Sequence, residues 1–318
     1  MHIDTHIDLL FDMKKSFRKF SPQSETGHVD LLRARKGDLL AGFFAIFPAE
    51  NNYYIDEGVR RWLDLVSNPD NHLKKITSYF DLQTLINERK SQKIFEEREI
   101  GAIMHIEGSA GIDTSLNRLY VFHECGLRSV GLTWNEANHF ATGADGDPNR
   151  GLTSEGKNLI SAINDLNMIL DISHLNDKSF WDVMKYTNIS ILSSHSNLRK
   201  YADHKRNLTN EMVQEIAKSN GSIGINFCKR FLSTKEDHPP NRFCAMEMIR
   251  EIINITGSTD HVHIGSDFDG CSIPDDVKDI STMSKFFVEL KERLHLEKLD
   301  IEKIQYKNVE RIIKTIFH

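Results

Sequence analysis

Cysteine is scarce in this 318-residue sequence: Cys125, Cys228, Cys244 and Cys271 are the four, and they are scattered, with no C-x-x-C pair and no zinc-finger spacing. That excludes a disulfide framework and a cysteine-type zinc module, and all four read as structural or incidental reduced thiols. A concentrated basic block is missing too, and 40 Lys plus Arg stand against 46 Asp plus Glu, for a formal charge of −6. Affinity for nucleic acid rests on cations that neutralise phosphates, so the balance argues against a duplex or an anionic membrane as partner. Long apolar runs are also lacking. The densest, Leu39 to Phe47, is far short of the roughly 20 residues that span a bilayer. The opening Met1-His2-Ile3-Asp4 has neither the basic start nor the apolar core of a signal peptide. The expectation is a soluble, cytoplasmic protein. No low-complexity tract, sequence repeat or Ser/Pro linker divides the chain.

What the sequence does contain is a recurrence of short apolar, β-branched runs, separated by stretches with helical spacing. Eight are predicted as strands: His2 to Leu9, Leu40 to Phe47, Ile100 to Gly108, Leu127 to Trp134, Met168 to His174, Ile189 to His195, Ser222 to Phe227 and His261 to Phe268. Thr153 to Asn167, Asn176 to Thr187, and Thr209 to Asn220 followed by a capping Gly221 read as amphipathic helices. Eight strand–helix units within about 250 residues point to an α/β fold, a single (β/α)8 TIM barrel over residues 1–318. The surplus length has two homes. Pro48 to Glu99, after strand two, carries helical stretches at Asp56 to Val66 and Asn71 to Glu97; Asn135 to Leu152, after strand four, reads as a loop over the mouth.

Barrel enzymes place their chemistry at the C-terminal strand ends, and polar residues collect there in this sequence. His6 and Asp8 close strand one, Glu107 strand three, Ser173-His174 strand five, Ser194-His195 strand six and Asp267 strand eight. Alternation of side chains along a strand sends His6 and Asp8 the same way, into the mouth. Three imidazoles and several carboxylates converging in one place are costly without a shared partner. A divalent metal supplies one, and nitrogen with carboxylate oxygen suits zinc.

His6-x-Asp8, Ile106-Glu107-Gly108, Asp171-x-Ser173-His174, Ser194-His195-Ser196, His204-x-Arg206-Asn207-Leu208 and Gly265-Ser266-Asp267-Phe268-Asp269-Gly270 run in an order that resembles the membrane (renal) dipeptidase family and its bacterial relatives. These are metal barrels of the amidohydrolase type. The resemblance spans essentially the whole chain. It implies two zinc ions per chain, with His6 and Asp8 on one, His174 and His195 on the other, and Glu107 bridging. It further implies Asp267 as the catalytic carboxylate, Arg206 as the clamp for a substrate carboxylate, and a homodimer. Mammalian members carry a histidine after Leu-Thr on strand four that contacts the reacting carbonyl. Here the sequence reads Leu132-Thr133-Trp134-Asn135, leaving Asn135 or His139 as candidates for that contact. The absence of secretory and lipid-anchor segments fits a soluble bacterial-type member without membrane attachment.

The activity so implied is hydrolysis of dipeptides, including those with a D-residue at the C-terminal position. Two zinc ions lower the pKa of a water between them toward neutrality, giving a hydroxide nucleophile. Asp267 then moves the proton to the leaving amine, and the planar fork of Arg206 matches a carboxylate. Asp4 is either a support for His6 or a backbone-satisfied carboxylate, while His105 and His263 are predicted as hydrogen-bonded core residues. Asp269, His204 and Arg199 are open between site and loop roles. Rival readings are another hydrolase on the same barrel, such as a deaminase, lactonase or phosphoesterase, and a non-catalytic metal- or peptide-binding barrel.

Overall fold

Leu39–Ile46 reads Leu-Leu-Ala-Gly-Phe-Phe-Ala-Ile, and every one of these residues is buried. Such two-sided burial belongs to a parallel strand covered on both faces, where alternation of polar and apolar residues disappears. The computed structural model describes the chain except Pro22, Gln92, Lys93, Asn188, Lys235, Glu236, Asp237 and His318. Its strands are β1 His2–Ile7, β2 Leu39–Ile46, β3 Leu73–Lys75, β4 Ile100–Ile106, β5 Leu127–Gly131, β6 Ile169–Asp171, β7 Leu192–Ser193, β8 Ser222–Ile225 and β9 Val262–Ile264. All pair in parallel, in the order β2-β1-β9-β8-β7-β6-β5-β4-β3. The barrel closes where β2 meets β4, in continuous register from Ala41 opposite Gly101 to Ile46 opposite Ile106. Eight strands thus form the closed parallel barrel of a (β/α)8 fold, with helices around it.

The ninth strand is a departure. Asn71 to Glu97 is predicted as helical, yet Leu73–Lys75 forms β3, and the helix runs only over Tyr79–Lys90; Gln92 and Lys93 lie outside the described residues. The cause is tertiary. β5 joins β4 only from Met104 upward, so Ile100, Gly101 and Ala102 would face nothing on that side. Leu73, Lys74 and Lys75 pair with those three residues and take up their backbone groups. The other insertion helix, Asn52–Ser67, contains the predicted Asp56 to Val66 stretch and starts on an Asn51 cap.

Helix caps follow ordinary chemistry. Thr153, Asn176 and Thr209 each accept a backbone N–H from the first turn of Ser154–Asp165, Asp177–Tyr186 and Asn210–Lys218. The residue that ends the last of these is Asn220, at φ +58°, and not Gly221. Gly221 N–H reaches Ile216 O and Asn220 N–H reaches Ala217 O, the Schellman pattern in which the left-handed residue comes one position earlier.

The lower end of the barrel is sealed by the C-terminal helix Asn308–Ile316. Its Val309, Ile312, Ile313 and Ile316 pack with Ile3, Leu40, Ile103, Ile169 and Leu192 in one apolar cluster. Each such side chain contributes about 1.5–3 kcal/mol of burial. Only the opposite end remains open for chemistry. Among the described residues no helix is long and apolar enough to cross a membrane.

Candidate active site

The strands end earlier than predicted, and the polar residues sit on the turns that leave them. Asp8 follows β1 as the N-cap of the helix Leu9–Ser16, yet its side chain makes no cap bond. It is free to face the mouth. β1 and β9 continue past their ends through an Ile7–Phe268 bridge, with Asp8 N–H on Phe268 O and Asp267 N–H on His6 O. This pairing sets the carboxylates of Asp8 and Asp267 against each other. Gly270 is required beside them, because a Cβ there would collide with Asp8 Oδ2 and Asp267 Oδ1. His174, Asp267 and Asp269 have φ of +71°, +62° and +70°, in the left-handed region that non-glycine residues seldom occupy.

Glu107, just past β4, is the centre of the cluster. Its Oε1 lies 2.8 Å from His174 Nε2, 3.5 Å from His195 Nε2 and 3.6 Å from His6 Nε2. His6 Nε2 is also 3.2 Å from Asp8 Oδ2, and the His6 and His195 rings stack at 3.7 Å. All are buried.

The hydrogen bonds behind these rings decide where their protons are. His174 Nδ1 is 2.8 Å from Asn135 Oδ1, which can only accept, so the proton sits on Nδ1 and Nε2 carries a lone pair. Ser194 Oγ donates to Asp171 Oδ2 at 2.6 Å and therefore accepts from His195 Nδ1 at 2.8 Å, again leaving Nε2 bare. These two bare nitrogens lie 2.9 Å apart, both facing the Glu107 carboxylate. On the other side His6 Nδ1, His6 Nε2 and Asp8 Oδ1 are buried without a hydrogen-bond partner. Bare or unpartnered imidazole nitrogens turned toward a group of carboxylates fit a bound cation, and the ligating atoms of His6, Glu107 and His195, and those of His6, Asp8 and Asp267, lie within 4.8 Å of one another.

The electrostatics agree. Burial, followed by repulsion from Asp8 and Asp267, pushes the Glu107 carboxyl well above its usual range. Burial raises Asp8 to about 7, and burial with the Asp8 charge raises Asp267 to about 6. His174 and His195 are pulled well below the ordinary imidazole value, chiefly by burial. The cluster thus favours neutral imidazoles, the form that ligates metal.

Around the cluster the mouth is a cavity of about 90 Å³ walled by Phe11, Phe47, Trp134, Arg206, Arg230 and Phe231. Trp134 stands in this wall, its ring 6.3 Å from His174. Arg206 is buried, with Nη2 on His195 O at 3.3 Å, Nε unpartnered, and its guanidinium 5.6 Å from the Phe231 ring. Burial lowers it only to about 10, so it keeps its charge. A larger cavity, about 380 Å³, opens outside the barrel near Leu10 and Leu65, and none of the clustered groups reaches it.

Not every candidate meets the mouth. His139 is not in the wall of the mouth cavity: its Nε2 is 2.8 Å from Ile112 O and its ring packs on Phe140. Asn135 Oδ1 accepts from His174 Nδ1 and so orients that ring. Arg199 pairs with Asp177 at 2.8 and 2.9 Å, and Asp269 is fastened to Arg18 and the His28 backbone, so both serve loops. His204 Nδ1 accepts the Arg206 N–H and its ring packs on Phe231, behind the clamp. Asp4 Oδ1 accepts from His6 and Ser266 N–H, holding the first and last strands together. Three contributors escaped sequence reasoning. Asn226 Nδ2 donates to Asp267 Oδ2 at 2.9 Å, Asp171 sets the Ser194 hydroxyl, and Phe231 backs Arg206. Asp171 had a signal in its motif; Asn226, on the turn after β8, had none.

A closed (β/α)8 barrel with imidazoles and carboxylates gathered at its C-terminal mouth defines a metal-dependent barrel hydrolase. A family model described as membrane dipeptidase, peptidase family M19, matches residues 1–317, and the chain belongs to that family. Membership makes it a metallo-dipeptidase-type hydrolase that uses divalent metal. An uncharacterized protein from the pqqA 5′ region of Klebsiella pneumoniae is 34% identical over 230 residues, covering 70% of this chain and 84% of the relative. An uncharacterized dipeptidase of Schizosaccharomyces pombe is 28% identical, covering 98% of this chain and 80% of its own. Among solved structures, a metallopeptidase from Rhodobacter sphaeroides, liganded with a phosphinate mimic of L-Ala-D-Ala, superposes with a TM-score of 0.87 at 25% identity over 99% of both chains. Dipeptidase AC, a metallopeptidase of family M19, gives 0.88 at 26% identity over 99% of this chain and 98% of its own.

Proposed function

We propose that this chain is a zinc dipeptidase that carries two zinc ions per chain and accepts dipeptides with a D-residue at the C-terminal position. The observation that carries the metal assignment is the pair of bare Nε2 atoms of His174 and His195, 2.9 Å apart beside Glu107 Oε1. In this reading His6 and Asp8 hold one ion, His174 and His195 the other, and Glu107 both. When bound, the ions supply Lewis acidity and a water of lowered pKa, the source of a hydroxide nucleophile at neutral pH.

The chain's own residues do the rest. Arg206, charged and with unsatisfied donors, binds the free carboxylate of the dipeptide and fixes where the peptide bond lies. Asp267, held by Asn226 and raised to about 6 by burial and the Asp8 charge, is basic enough to take a proton from water and hand it to the leaving amine. Phe11, Phe47, Trp134 and Phe231 keep bulk water out. Tolerance of a D-residue is supported by the ligand of the Rhodobacter sphaeroides relative. The reading is completed by a single-domain homodimer in the cytoplasm.

The test is turnover of a panel of L,L- and L,D-dipeptides by the zinc-loaded protein, alongside their amidated forms. Hydrolysis of the free acids with loss of the amides is expected. Deamination or lactone opening without dipeptide hydrolysis would overturn the reading. Zinc measured on the purified chain should approach two equivalents, and sedimentation should return twice the chain mass.

A further inference from the structure

Two of the four thiols meet at the mouth. Cys228 follows β8, its N–H held at 2.6 Å by Asn226 Oδ1, the residue whose Nδ2 also holds Asp267. Cys271 follows Gly270 on the turn after β9, with Sγ 3.5 Å from Asp267 O. The sulfurs of both and a carboxylate oxygen of Asp267 all lie within 4.8 Å of one another. Cys228 is buried, while Cys271 is partly exposed and faces the mouth cavity.

We propose that Cys228, Cys271 and Asp267 form an additional cation site, specific for thiophilic dications such as zinc or cadmium, whose occupation disarms Asp267. Tetrahedral zinc with Zn–S near 2.3 Å sets its ligands roughly 3.7 Å apart, so the three atoms need close by only about an ångström. Sulfur selects zinc and cadmium over magnesium and calcium. Binding displaces the two thiol protons to solvent, and two thiolates with one carboxylate leave the occupied site at a net charge of −1. That charge is welcome beside Arg206 and Arg230, which face the same cavity. Three protein ligands leave the fourth tetrahedral position to water.

The existence of the site is independent of the proposed dipeptidase activity; its inhibitory consequence rests on the role given there to Asp267. Cadmium titrated into the zinc-loaded enzyme is expected to raise a thiolate-to-cadmium charge-transfer band in the ultraviolet. Hydrolysis should fall in step with the band. Cys228→Ser is expected to abolish the band and to shift the inhibition midpoint at least about tenfold while keeping basal turnover; Cys271→Ser serves as a second variant for the band. No band in the wild type, or a band that persists in both variants, overturns the site. A band without loss of hydrolysis overturns the consequence alone, and failure of the dipeptidase reading would leave the band in place.

Discussion

Two sets of buried histidines occupy this barrel at different depths. His105 and His263 lie within β4 and β9; His174 and His195 stand on the turns above β6 and β7. All four are buried, and burial holds all four below the ordinary imidazole pKa, His105 at about 4 and His263 at about 3. Their partners differ. His263 meets Ser222 Oγ at 2.7 Å and Thr5 Oγ1 at 2.9 Å, while His105 meets Ser129 Oγ at 2.9 Å and lies 3.6 Å from Asp171. Thr5 Oγ1 gives its proton to Ser194 O at 2.6 Å and so accepts from His263 Nε2, leaving Ser222 Oγ to donate to Nδ1, and both nitrogens of that ring are satisfied; on His105 only Nδ1 has a hydrogen-bond partner. In the upper pair the group behind Nδ1 accepts, Asn135 Oδ1 by its chemistry and Ser194 Oγ because it donates to Asp171, and further acceptors stand in front of Nε2. Burial does not make a histidine a ligand; the direction of its hydrogen bonds does.

The strongest way to break this contrast is to separate metal holding from proton transfer. Asp267→Asn is expected to lower kcat by about 10²–10⁴-fold while the bound metal is kept, whereas Glu107→Gln is expected to lose metal as well as activity; metal analysis beside steady-state rates checks both. Removal of metal comes next. A ligand at a thousandfold excess over its Kd stabilises by about 4 kcal/mol, so chelation should lower Tm. The pH dependence of that drop has a definite sign. Asp8, raised to about 7, Asp267, raised to about 6, and Glu107, raised well above its usual range, keep protons in the folded metal-free chain that the unfolded chain has released. Stability from these carboxyls therefore falls as pH rises from about 4 through about 7. The depressed imidazoles oppose this only below their ordinary value of 6.5, where the unfolded chain takes up protons the folded one refuses. Above that, the chelator-induced fall in Tm should grow with pH, and a calorimetric series that shrank instead would contradict the carboxylate cluster.

Two smaller effects sharpen the comparison. Asn135→Leu removes the acceptor that fixes the His174 tautomer, and about 10–100-fold weaker metal binding is expected, measured by competition with a chelating dye. His263→Leu leaves Ser222 and Thr5 without their ring partner; a cost of about 1–3 kcal/mol in denaturant unfolding is expected, with zinc content unchanged. Loss of zinc in that variant would erase the distinction between the two depths.

The same contrast explains what the sequence discloses. The eight barrel strands are legible because parallel strands bury both faces and read as apolar runs; β3 is not, since two half-exposed residues and an exposed lysine take their conformation only from the free side of β4. His6 and Asp8 are legible as a pair, although Asp8 reaches the mouth as a helix cap and not by strand alternation. The direction of a hydrogen bond is invisible in sequence. Asn135 lies 39 residues before His174, and Cys228 lies 43 before Cys271, so nothing local reports that Asn135 serves a ring or that two thiols share a site. His139 shows the converse: a histidine on the mouth loop whose nitrogen is already taken by Ile112.

The left-handed backbone at His174 and Asp267 turns these positions into a record of selection. A side chain there costs of order 1–3 kcal/mol that glycine would largely avoid. Relatives freed from catalysis should drift toward glycine or asparagine at those two places and become more heat-resistant as they do. In this chain a histidine and an aspartate stand where the backbone disfavours them, and both face the mouth.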